Sequence, residues 1–115
     1  MVAKAISGTT QAVTAYDAVR GSYETVAASQ TDQVLGATGA AGDWLASLLI
    51  VPATTGAGAV SIKDGSGSSI TVFTSGGTLA DLKPISVPLN IQSTAGAWSV
   101  TTGANVSVVA IGRFT

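Results

Sequence analysis

Two residue types that carry much of protein chemistry are missing from this 115-residue chain, which has neither histidine nor cysteine. Without histidine the commonest general base near neutral pH and the commonest transition-metal ligand are both gone. Without cysteine there is no thiolate nucleophile and no disulfide. Nucleophilic catalysis is reduced to a Ser–Lys dyad on Lys63 or Lys83. Lys63 stands beside Asp64 at the mouth of an expected hairpin, where a solvated charge is the plainer reading. The acids Asp17, Glu24, Asp32, Asp43, Asp64 and Asp81 are scattered, whereas glycoside hydrolysis needs two carboxyl groups across one groove. Asp64 and Asp81 occupy turn-like contexts in which such side chains cap nearby backbone. The run Asp64-Gly65-Ser66-Gly67-Ser68 lacks the spaced oxygen ligands and closing glutamate of a calcium loop. Gly56-Ala57-Gly58, Gly65-Ser66-Gly67 and Gly76-Gly77 lack the Gly-Lys-Ser/Thr ending of a phosphate loop and read as turns. No catalytic, metal-binding or cofactor-binding residue is nominated. A non-enzymatic chain with no small-molecule substrate is expected.

Charge narrows the partners. Lys4, Arg20, Lys63, Lys83 and Arg113 face six acids, for a net charge of −1. Duplex binding relies on clustered basic residues, so nucleic acid is not expected. Charged residues make up 10% of the chain, against about 25% in ordinary domains. Small residues fill the deficit: Ala, Gly, Ser, Thr and Val account for 74 of the 115. Such a surface has weak defences against association. It suits either a compact secreted domain or, as the sharper reading, a molecule whose surface is covered by partners. The aromatics Tyr16, Tyr23, Trp44, Phe73, Trp98 and Phe114 could stack on sugars if exposed together, but more often act as core or interface anchors. Trp98, within Ala97-Trp98-Ser99-Val100-Thr101, reads as core. Tyr16 and Tyr23 read as interface residues.

The elements that would position these residues are strands. From about Glu24 onward, short β-favouring runs are cut by Gly, Ser, Thr and Asp, the spacing of a sandwich or barrel. The expected strands are Glu24–Ala28, Asp32–Leu35, Trp44–Val51, Ala59–Lys63, Ser69–Thr74, Ile85–Gln92, Ala97–Thr101 and Val106–Arg113. Val60 and Ile62 alternate with polar residues, as do Ile70 and Val72, and Asp64-Gly65 supplies hairpin-turn chemistry. Ile85, Val87, Leu89 and Ile91 form one face of a half-buried strand, which Pro88 assigns to a sheet edge or a bulge. Trp44-Leu45-Ala46-Ser47-Leu48-Leu49-Ile50-Val51 is apolar on both faces, so a partner is expected to cover the face turned away from the core. Trp44, Leu48 and Ile50 join Tyr16 and Tyr23 as candidate partner-interface residues. A short helix is the competing assignment for this run, but Pro52 favours an extended end. No membrane span is expected: the strongest apolar stretch, Trp44 to Ala53, is ten residues, and a span needs about twenty. The opening MVAKAISGTTQ lacks the apolar region of a signal peptide.

The fold expectation is a single all-β domain, a β-sandwich over 24–115, with the jelly roll among the topologies the spacing allows. Residues 1–23 stand apart. They suit a short helix capped by Thr9 or Thr10, with Val13, Tyr16 and Val19 on one face and Gly21 ending it. They equally suit an extended N-terminal arm on a neighbour, which their thin apolar content favours.

Five stretches carry a family resemblance: Ser22–Ala28, Gly39–Asp43, Ile50–Thr55, Val60–Gly65 and Trp98–Val106. They resemble short structural proteins of tailed bacteriophages and prophages, over roughly residues 16–115, without a diagnostic motif. The resemblance implies a head decoration, or cement, protein on the outer surface of the virion head. Its implied partners are the major capsid protein and other copies of itself, and it implies no catalytic residues. A tail or fibre-tip module that binds carbohydrate receptors is the alternative.

Overall fold

The computed structural model describes residues 21–75 and 82–115, and these fold as eight β-strands with no helix among them. The strands are β1 (Ser22–Val26), β2 (Gln33–Val34), β3 (Trp44–Pro52), β4 (Val60–Asp64), β5 (Ile70–Phe73), β6 (Ile85–Gln92), β7 (Trp98–Thr102) and β8 (Val106–Arg113). Each falls where β-favouring residues run between turn formers. The expected hairpin is present: β4 pairs antiparallel with β5, and Gly65 in the turn has a φ of 58°.

Two four-stranded sheets form, ordered β1-β8-β3-β6 and β2-β7-β4-β5. The antiparallel pairs β1·β8, β2·β7, β3·β6 and β4·β5 are nested like one long folded hairpin, and they alternate between the sheets. That nesting is the jelly-roll form of a β-sandwich. Between the sheets lies one core containing Val26, Leu35, Leu45, Leu48, Ile50, Val60, Ile62, Trp98, Val100, Val106 and Val108.

β3 is central, held by β8 on one side and β6 on the other. Side chains alternate across a strand, and the pairing register assigns each one to a face. Leu48 pairs with Ala110 and Val87, and Ile50 with Val108 and Ile85, all turned inward. Leu48 and Ile50 are fully buried, which corrects their nomination as interface residues. The apolar run has the expected second face, but its outward residues are Trp44, Leu49 and Val51.

The chain boundary also moves. Ser22 and Tyr23 were grouped with the N-terminal arm, yet they open β1 through pairing with Gly112 and Ile111. The rest of that segment, Tyr16 included, lies outside the described residues. Pro88 satisfies both of its alternatives: β6 is an edge strand, and its pairing with β3 shifts register between Leu45 and Ser47. Near this irregularity Asn90 takes a φ of 56°, and Ile91 ends 41% exposed instead of continuing the buried face.

Candidate functional site

The two outer faces of the sandwich differ in kind. On β2-β7-β4-β5 the outward residues include Ser61, Lys63, Thr71 and Thr101, with Val34 exposed in the same row as Lys63. Lys63 pairs with Asp32 at 3.2 Å, and Thr101 donates its hydroxyl to Asp32 at 3.1 Å. This is an ordinary solvated face. Lys63 has Asp32 for a partner across the face.

The outer face of β1-β8-β3-β6 is different. Register places three rows across it: Tyr23, Ile111, Ser47 and Pro88; Thr25, Val109, Leu49 and Ser86; and Ser107 with Val51. None of these residues carries a charge. Tyr23 is 71% exposed and Ile111 38% exposed, and the two are direct cross-strand partners. With Val109 they line a shallow apolar groove at the start of β1. Tyr23 was expected here. Val109, Ile111, Leu49 and Val51 were not nominated, although β8 carried the same signal as β3 in the unbroken apolar run Val108–Ile111.

A second feature lies at one end of this face. Arg113, Trp44 and Gln92 form the terminal row, contributed by β8, β3 and β6. With Asn90 and Thr115 they line an open hollow of about 550 Å³. The Trp44 indole is held at its edge, where Nε1 donates to Asn90 Oδ1 at 2.7 Å. Asn90 makes this contact from a left-handed backbone conformation. Gln92 Nε2 donates weakly to the Gly42 carbonyl at 3.4 Å.

Two aspartates hold this end of the sandwich together. Asp43 is buried and accepts from Ala40 N at 3.0 Å, Thr115 N at 3.1 Å and Thr115 Oγ1 at 3.0 Å. It anchors the C-terminal residue beside the hollow. Asp64 was expected to cap backbone, and its carboxylate accepts from the backbone of Thr94, Ala95 and Gly96, in the loop between β6 and β7. These backbone donors, Thr94 first, favour the ionised form and lower the Asp64 pKa from its ordinary 3.8. Each aspartate is a structural clamp with its oxygens committed. Among the described residues no cluster of three or more Asp or Glu side chains forms a metal site.

The two tryptophans part company. Trp98 is 2% exposed, and its Nε1 donates to the Asp43 carbonyl at 3.0 Å. It is the core residue expected. Trp44 stands at the rim of the open hollow.

Compared with known proteins, the chain matches no protein-family model, no curated protein and no solved structure.

Proposed function

We propose that this chain is a non-enzymatic virion structural protein, a head decoration protein that binds the outer capsid lattice in many copies and stabilises it. The observation that carries this reading is the unlike pair of sandwich faces. One outer face holds an ion pair and hydroxyls beside the exposed Val34; the other presents Tyr23, Ile111, Val109, Leu49 and Val51, with charge in the rows described confined to Arg113 at its end. Burying hydroxyls, small side chains and apolar groups costs far less desolvation than burying charge. An aromatic anchor within an uncharged patch suits the core of a protein–protein interface.

The rigid sandwich keeps this face in shape before contact, so little ordering entropy is lost on docking. A capsid lattice repeats one binding site many times. A molecule that touches two capsid subunits makes its second contact at high effective concentration, so weak single contacts add to firm attachment. The surface buried this way raises the barrier to rupture of the shell.

The test is stoichiometry. Purified virions should hold this chain at a copy number comparable to that of the major capsid protein, and particles lacking it should release DNA at a lower temperature. A copy number of a few per particle overturns the decoration role and points to the tail. Tyr23→Ser and Ile111→Ser should leave the fold intact and abolish rebinding to stripped heads.

A further inference from the structure

We infer that the hollow at the end of the β1-β8-β3-β6 sheet is a carbohydrate subsite, in which a pyranose ring stacks on Trp44. The inference does not depend on where in a particle the chain resides.

The hollow combines the parts that sugar recognition needs. A pyranose offers one face rich in C–H groups and a rim of hydroxyls. The negative face of an indole attracts polarised C–H groups, and its flat area matches a ring. Trp44 is the aromatic residue of the hollow, and the 2.7 Å bond from its Nε1 to Asn90 locks the indole in place. A preorganised ring loses little rotamer entropy on binding.

The rim is polar and planar. The Asn90 oxygen is committed to the indole, so its NH2 is the part left to offer a sugar oxygen. Gln92 has spent one donor on a weak 3.4 Å bond, and its carbonyl oxygen can accept from a hydroxyl. Arg113 stands in the same row as Trp44 and brings a planar guanidinium to the rim. A volume of about 550 Å³ lies within the range of small-ligand sites and holds one or two sugar rings. The two charged residues of the lining, Asp43 and Arg113, are of opposite sign, so the hollow as a whole suits a neutral pyranose, such as the end of a cell-surface glycan.

Trp98 sharpens the assignment. It is sealed in the core with its N–H on a main-chain oxygen, so only one of the two tryptophans can meet a sugar.

The two indole N–H groups make the test direct. The intact protein, labelled with nitrogen-15, is titrated with methyl β-galactoside, methyl α-glucoside and methyl α-mannoside, with affinities for a single sugar expected to be about millimolar. At least one glycoside should shift the Trp44 indole signal and the side-chain amides of Asn90 and Gln92, while the Trp98 indole stays fixed. Trp44→Leu should abolish the shifts at the two amides. Trp44→Phe, which keeps an aromatic face, should retain weakened binding, and Ile111→Ser should bind as the parent does. Silence at Trp44 with all three glycosides, or shifts clustered on another surface, overturns the inference.

Discussion

The indole nitrogen of Trp98 donates to the main-chain oxygen of Asp43 at 3.0 Å, across a sequence separation of 55 residues. One residue further on, Trp44 projects into the hollow. The buried tryptophan therefore fixes the point from which the half-buried one is presented. Trp98→Phe removes this bond and leaves a void beside a carbonyl that keeps only its bond from Ser93 N. It should cost about 2–3 kcal/mol. Trp44→Phe removes a bond at an exposed site and should cost less than about 1 kcal/mol. Urea midpoints of the two variants measure the contrast.

The face assignment of β3 makes a sharp comparison between sites one row apart. Leu48→Ala opens a cavity in the core and should destabilise by about 2–5 kcal/mol. Tyr23→Ala trims a side chain that is 71% exposed and should stay within about 1 kcal/mol of the parent. Thermal unfolding at equal protein concentration reads both. Equal costs would mean that the register of the sheet is wrong.

Gly112 is required by close approach between strands. A Cβ at this position would meet the main-chain oxygen of Trp44, and the Phe114 ring lies 2.9 Å from it. Backbone cannot step aside as a flexible side chain can. Gly112→Ala should cost about 1–3 kcal/mol through strain and should perturb the Trp44 indole signal in the same sample. Gly42, where an added Cβ meets nothing within 4 Å, is a poor control, because its φ of 95° brings strain of its own.

Acid should loosen the clamp at Asp64. Its folded-state pKa is lowered by the backbone N–H groups of Thr94 and Ala95, so near pH 3.8 the unfolded chain binds more protons than the folded one. The stabilisation is then fully present above that pH and is lost as pH falls through the lower folded value. Asp64→Asn should be less stable than the parent at neutral pH, and the gap should close in acid. Urea unfolding followed between neutral pH and strong acid checks this. A gap that stays constant across the range would rule out the carboxylate as its source.

Much of the architecture was legible one strand at a time. β6 and β8 have the expected limits, and the β4–β5 hairpin follows from Asp64-Gly65 between alternating runs. These features rest on local preferences, which neighbouring residues express without help from the rest of the chain. The candidate site was legible in kind and in Tyr23 and Trp44, but not in its other residues. In Trp44–Val51 every second residue on either face is mostly apolar, so periodicity cannot say which set turns inward. Leu48 and Ile50 were nominated for the surface and lie in the core; Leu49 and Val51 hold the outer face.

That choice depends on partners far away in sequence. The pairing of β3 with β8 sets the parity of Leu48, and the register shift between Leu45 and Ser47 returns Trp44 to the outer face. The hollow likewise needs β3, β6 and β8 side by side, with Asn90 in a left-handed conformation that no neighbour in the chain announces. Composition and turn chemistry were enough to specify strands, a sandwich and a charge-poor exterior, because those properties belong to single residues and short runs. Which residues of an all-apolar strand face outward, and that Trp44 stands at an open hollow, emerged only when strands distant in sequence were paired, because facing is a property of the pair.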